Sequence, residues 1–187
     1  MEKKTVANAP KINLYSVVNG ITPPPFTDDN SLFSFQLLFD EAWGKKVFSL
    51  IKKANQEILI ATFKLEICHK PRAHFLNALV EELIKAKQRG VKISLLLNIK
   101  SNFRSTSPAN LYAQRWLSQY GIESKHLPRG RTCHLKILLV DKRFLIIGSH
   151  NWTVRSLSSN AEASLFLENT TAGQEIHAYF HRLWSNR

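Results

Sequence analysis

A single α/β domain, its mixed β-sheet flanked by helices on both faces, is the architecture that this sequence predicts. Three observations carry the prediction. Short apolar runs alternate with amphipathic segments over most of the chain, the order expected of a helix-covered sheet. EILIATF (57–63) is a short, continuous apolar run rather than an alternating one, as a strand covered on both faces requires, and VKISLLLN (91–98) reads as a second buried strand. Two more, LKILLVD (135–141) and FLIIGS (144–149), are joined by Asp141, Lys142 and Arg143 in a hairpin-like link. The 187 residues suffice for one sizeable core and not comfortably for two.

Taken in order, residues 1–11 are polar, and INLYSVV (12–18) reads as a short strand or an interaction segment. NGITPPPFTDDN then breaks regular structure with three consecutive prolines. Residues 1–32 are therefore read as an extended amino-terminal arm and residues 33–187 as the domain. FSFQLLFD (33–40) is a strand feeding a helix over 42–54, where Trp43, Val47, Phe48 and Ile51 recur at helical spacing. Residues 63–71 form a loop. The clearest helix covers 72–89: Phe75, Leu76, Leu79, Val80, Leu83 and Ile84 make one stripe, and Gly90 stands where a C-cap is wanted. Ser107 and Pro108 suit an N-cap and first helical position, opening a helix to Tyr120 that Gly121 stops. IESKHL (122–127) is a short strand and PRGRT a basic turn. A helical turn is expected after Asn151, a strand over 162–169 and a closing amphipathic helix over 172–184.

Lysine and arginine outnumber acids 26 to 14, a formal charge of +12, which favours a polyanionic partner such as nucleic acid or an acidic membrane surface. Cys68 and Cys133 are too few for a disulfide framework and read as free thiols. The opening residues lack the apolar core of a signal peptide, and no run reaches the length of a membrane span. The expectation is a cytoplasmic protein without stable membrane insertion.

Chemistry concentrates in residues 134–151, HLKILLVDKRFLIIGSHN, which carry His134, Lys136, Asp141, Gly148, Ser149 and Asn151. These side chains suit a phosphodiester: a nucleophile, a cation, a carboxylate and small donors. Their spacing resembles the HKD motif of the phospholipase D superfamily, His-x-Lys-x4-Asp-x6-Gly-Ser-x-Asn, at every position. The resemblance covers residues 34–177 and is strongest to the short, single-motif, bacterial nuclease-type members; it implies a phospholipase D-like fold.

A phosphodiester repels anionic nucleophiles, whereas a neutral imidazole attacks without that penalty. His134 is accordingly the expected nucleophile, forming a phosphohistidine. Lys136, two residues on and on the same face of a strand, neutralises the phosphoryl oxygens. Asn151 donates to the same oxygens, Ser149 shares its side of the chain, and Gly148 permits close backbone approach. Asp141 has the opposite parity and lies at the strand end, so it is given a supporting role in local geometry or ion pairing, as the resemblance also implies. Family members often carry a Glu downstream, and Glu162 would accept a hydrogen bond from the second ring nitrogen of His134.

The leaving oxygen needs an acid. Larger family members supply it from a second motif; with one motif, this chain is expected to form a homodimer whose two His134 residues share one site. Phe103, Arg104, Arg129 and Arg131 border the motif in sequence and suit a groove that holds phosphates and stacks bases. His177 and His181 lie four apart on the last helix, but no third ligand accompanies them in pattern, so they read as a plain helix face. A metal reading of Cys68, His69 and Cys133 is likewise set aside, because the chemistry is complete without a metal or other cofactor. His150 receives no role. The expected function is a metal-independent endonuclease of low sequence specificity acting on DNA or RNA. The alternatives are phospholipase D or phosphatidyltransferase activity on lipids, and a nucleic-acid-binding module that has lost turnover.

Overall fold

The computed structural model describes residues 35–68, 74–99, 107–128 and 130–185. The chain divides into Met1–Leu32 and a second unit, Phe33–Arg187. Its elements are β1 (Phe35–Phe39), α1 (Glu41–Lys53), β2 (Glu57–Thr62), α2 (His74–Gln88), β3 (Lys92–Leu97), α3 (Ser107–Ser118), β4 (Glu123–His126), β5 (Lys136–Val140), β6 (Phe144–Gly148), α4 (Val154–Ser158), β7 (Ala163–Glu168) and α5 (Thr170–Ser185). The seven strands form one sheet in the order β1-β7-β6-β5-β2-β3-β4. β2, β3 and β4 run parallel, while β2–β5, β5–β6, β6–β7 and β7–β1 are antiparallel. The sheet is mixed, as the sequence predicts.

Parity explains the continuous apolar runs. In β2, Ile58 and Ile60 pack with Val47, Leu79 and Leu83 on the face covered by α1, α2 and α3. The alternate residues Leu59 and Ala61 join Ile137, Leu139, Phe180 and Leu183 under α5 on the other face. Every residue of β2 is buried, so neither side of the strand has room for a solvated side chain. Each such aliphatic side chain contributes about 1.5–3 kcal/mol through removal from water.

α5 does not reach the far side of its face. Leu37 pairs with Leu165, Leu165 with Ile147 and Ile147 with Ile137, so these four residues share the α5 face. There Phe35, Leu37 and Phe39 stay 62%, 54% and 57% exposed, with Ile147 beside them at 38%. The strip ends at Gly148 of the motif.

The β5–β6 turn holds Asp141 and Lys142 at positive φ (51° and 54°) and closes with Arg143 N–H donating to the Val140 carbonyl at 3.1 Å. Aspartate tolerates this region better than most residues. Its carboxylate is also heavily engaged: the backbone N–H groups of Asn55, Gln56 and Glu57 donate to it at 3.0, 2.9 and 2.9 Å. The turn is thereby tied to the chain entering β2.

Candidate active site

One end of the sheet gathers the motif. β5 begins there with Lys136, paired with Thr62 at the end of β2. β6 ends there with Gly148, paired with Ser164 near the start of β7. Gly148 is required by that approach, because a Cβ would lie 2.2 Å from Ser164 Oγ and 2.5 Å from the Ala163 carbonyl.

His134 precedes the strand rather than sitting in it. Its neighbour Cys133 is buried; the Cys133 N–H donates to Asn98 Oδ1 at 3.1 Å and its thiol lies 3.7 Å from the Leu96 carbonyl. Burial pushes the Cys133 thiol up, keeping it in the inert thiol form. With Cys133 fixed, His134 is held exposed, its ring edge-on to Phe63 at 5.1 Å. The Lys136 ammonium donates to the His134 carbonyl at 2.9 Å and sits over the same Phe63 ring at 5.4 Å. Burial lowers the Lys136 pKa, with the nearby Cys133 and Glu162 acting in the opposite direction. A half-desolvated ammonium interacts more strongly with an incoming phosphate than a fully hydrated one.

Asn151 approaches from the other side. Its Oδ1 accepts from the Lys64 N–H at 3.2 Å and the Thr62 hydroxyl at 3.3 Å. Because a backbone N–H can only donate, Oδ1 must face Lys64, and the Asn151 NH2 group is left as a donor without a partner among the described residues. Ser149 donates its hydroxyl to Glu162 Oε2 and accepts from the Ala163 N–H at 3.1 Å.

Glu162 departs from expectation. It makes no hydrogen bond to His134 among the described residues. Its carboxylate instead accepts from Ser149, and from Ser156 Oγ and Asn160 Nδ2, each at 3.0 Å. Burial pushes this carboxyl up, but the hydrogen bonds from Ser149, Asn160 and Ser156 outweigh it and hold the pKa below the usual value. The result is a persistent anion within electrostatic reach of Lys136.

Asp141 lies at the opposite end of β5. Five strand steps separate it from Lys136, about 16 Å. That distance keeps it away from any atom reacting at Lys136, and its lone pairs serve the turn already described. Arg131 is exposed beside the motif, with its charge felt at Cys133. Arg129, Phe103 and Arg104 lie outside the described residues.

Several residues that join the site carry no mark in the sequence. Thr62, Phe63 and Lys64 arrive through the β2–β5 pairing, some seventy residues upstream. His150, flanked by Ser149 and Asn151, turns the other way and is buried. It stacks on Trp43 at 5.1 Å, with Nδ1 2.7 Å from Ser164 Oγ and Nε2 3.0 Å from the Asp40 carbonyl. The carbonyl can only accept, so Nε2 carries the proton and Nδ1 accepts from the serine; burial lowers this imidazole's pKa. Asp40, at positive φ (44°), does not cap α1 with its side chain but accepts from the Glu162 N–H at 2.9 Å. The short helix after the motif is capped by Thr153, which accepts from the Ser156 N–H at 3.2 Å.

A family model described as "Cardiolipin synthase, PLD-like domain" matches residues 47–184, most of the chain. The chain belongs to the phospholipase D superfamily. Mitochondrial cardiolipin hydrolase from Mus musculus is 31% identical over 97 residues, 52% of this chain and 42% of that protein. Phospholipase D from Rickettsia typhi is 31% identical over 105 residues, 56% of this chain and 49% of that protein. This phospholipase D-like chain thus spans about half the length, or less, of these curated relatives. Among solved structures, the phospholipase D family member Nuc from Salmonella typhimurium shares the fold, with a TM-score of 0.68 at 20% identity over 82% of this chain and 95% of that one. No helix among the described residues is long and apolar enough to cross a membrane.

Proposed function

We propose that this phospholipase D-like domain is a metal-independent phosphodiesterase that cleaves nucleic acid with low sequence specificity, at a site shared by two copies of the chain. The observation that carries the reading is the convergence on one open sheet end of an exposed imidazole (His134), a half-buried ammonium (Lys136) and an oriented amide donor (Asn151). A phosphodiester set against His134 has its two non-bridging oxygens facing Lys136 and Asn151, which stabilise the charge that grows on them as bonds change.

In the first step a ring nitrogen of His134 bonds to phosphorus and the bond to the leaving oxygen breaks. The partner's His134, entering as imidazolium, gives that oxygen its proton. Now neutral, the partner's His134 takes a proton from water, the water oxygen attacks phosphorus, and the phosphorus–nitrogen bond breaks to restore His134. Ser149 and Glu162 are positioning residues here: Glu162 holds Ser149, which in turn accepts from the Ala163 N–H, and supports the charge on Lys136. Asp141 acts through the hairpin alone.

Two features support the shared site. The chemistry needs a second proton-transfer group, and one motif supplies one imidazole. The exposed strip of Phe35, Leu37, Phe39 and Ile147 runs up to Gly148, so a copy docked on it covers apolar surface and arrives beside the motif. The +12 charge favours a polyanion, and binding through phosphates weakens steeply with salt. The names of the relatives favour a second reading, hydrolysis of a phospholipid headgroup ester. Incubation with plasmid DNA, single-stranded DNA, RNA and cardiolipin or phosphatidylcholine vesicles, all in excess chelator, separates the two. Cleaved nucleic acid with unchanged lipid is expected; lipid turnover with intact nucleic acid replaces the first reading by the second.

A further inference from the structure

At the end of the sheet opposite the motif, the structure places three ligand-type side chains together. His177 and His181 lie four apart on α5 and so project from one side of the helix. Glu57 opens β2 beneath them. His177 Nε2 is 3.0 Å from Glu57 Oε2, His181 Nε2 is 3.9 Å from Glu57 Oε1, and the two imidazole centroids are 4.3 Å apart. The ligand atoms of all three lie within 4.8 Å of one another. We propose that Glu57, His177 and His181 form a binding site for a divalent transition metal of the zinc type, which staples α5 to the start of β2.

The geometry is close to what such an ion needs. Bonds of 2.0–2.1 Å in a tetrahedral site put neighbouring ligand atoms about 3.3 Å apart. The two His–Glu separations, each to a different carboxylate oxygen, bracket that value, and turning the Glu57 carboxylate and the imidazoles is the adjustment that brings all three donors onto one ion. Two imidazoles and one carboxylate are a donor set that favours zinc, copper, nickel or cobalt over the hard ions magnesium and calcium. The side chains of Glu57, His177 and His181 are 11%, 24% and 32% exposed. The ion therefore enters from solvent and keeps water in its fourth position. The β5–β6 turn fixes the Glu57 backbone, whose N–H donates to the Asp141 carboxylate and whose carbonyl accepts from the Asp141 N–H, each at 2.9 Å.

Two cations oppose the ion. Lys92 Nζ lies 3.5 Å from Glu57 Oε1, and Lys142 is close enough to act on His181. Lys92 is 66% exposed and swings into solvent when the carboxylate turns to the metal. Its removal should tighten binding, which no reading of the trio as a plain ion pair predicts. The site lies about 16 Å along β2 from Thr62 and the motif. Its role is mechanical, and the inference does not depend on the activity proposed above.

The test uses the full chain, stripped with chelator and dialysed, then titrated with zinc in a calorimeter and with cobalt by visible absorption. One equivalent is expected, with a cobalt spectrum of low coordination number and a rise in Tm on the order of 5 °C at a hundredfold excess over Kd. His177→Ala and His181→Ala, on the half-exposed helix face, should each weaken binding at least tenfold while melting cooperatively, and Lys92→Ala should strengthen it. The proposal is overturned if the wild-type chain takes up no stoichiometric metal, if both histidine variants bind as well as wild type, or if Cys68→Ser abolishes uptake instead.

Discussion

Replacing Asp141 with alanine separates the two ends of the domain. The carboxylate accepts three backbone N–H groups, from Asn55, Gln56 and Glu57, at 2.9–3.0 Å. A hydrogen bond to a charged group contributes about 1.5–3 kcal/mol where its partner is desolvated. Two of the three lie in exposed surroundings, where water replaces the lost acceptor, and only the Glu57 bond is partly buried. The left-handed conformation at φ 51° adds a smaller cost for alanine. The total is about 2–4 kcal/mol, which for a domain of this size lowers Tm by roughly 10 °C. With Lys136 about 16 Å away, phosphodiester cleavage per folded molecule should be unchanged. Thermal melts and turnover numbers, both in chelator and well below the variant's Tm, test this together. A variant with wild-type stability and lost turnover would refute the reasoning, because Asp141 would then act on the reaction and not on the hairpin.

His134→Asn should lower turnover by four orders of magnitude or so while leaving nucleic-acid binding largely intact; retained cleavage assigns the nucleophile elsewhere. Leu37→Glu places a charge in the middle of the exposed apolar strip and should shift the chain to monomer in sedimentation, with activity falling in step; an active monomer removes the shared site. His150 gives a pH dependence. Its folded pKa is depressed by burial, so the unfolded chain binds the proton more tightly, and stability is fully present above the ordinary imidazole pKa of about 6.5 and declines as pH falls below it. Denaturant melts of wild type and His150→Gln should converge as the pH is lowered from 7.5 to 5.5, and a constant gap between them would exclude the buried imidazole as the cause.

The order of elements is legible because burial on both faces leaves a distinct mark: the middles of β2 and β3 have to be largely apolar on both sides, and the stripe on α2 has to face them. The chemistry of the motif is legible because hairpin folding brings residues 134, 136, 149 and 151 together from one short stretch. What lies hidden comes through long-range pairing. Nothing near Thr62, Phe63 or Lys64 announces that β2 will end beneath Lys136. Asp40 reaches Glu162 across 122 positions through a backbone conformation that no local pattern requires. Glu162 stands at the expected end of the sheet but with different partners, since two serines and an asparagine within thirteen residues compete for its oxygens. His177 and His181 look solitary in the sequence for the same reason: their third neighbour is 120 residues earlier, on another element. His150 does carry a local signal, since standing between two outward-facing residues turns it inward.

The β5–β6 hairpin explains why the motif should include an aspartate so far from His134 and Lys136. His134 and Lys136 stand at the start of one strand and Ser149 and Asn151 follow the other, so their meeting depends first on the register Leu138↔Ile146. A slip of one residue would send Ser149 and Asn151 to the opposite face and bring His150 forward. Two fixed points prevent it. At the closed end, Asp141 binds three consecutive N–H groups of a neighbouring segment, a fit that a shifted turn cannot reproduce. At the open end, Gly148 admits Ser164 at a distance that forbids any Cβ, so neither Ile147 nor Ser149 can take its place. The aspartate and the glycine thus set the spacing of His134, Lys136, Ser149 and Asn151, the groups proposed to meet the substrate, and the length of the hairpin between them is part of that proposed site.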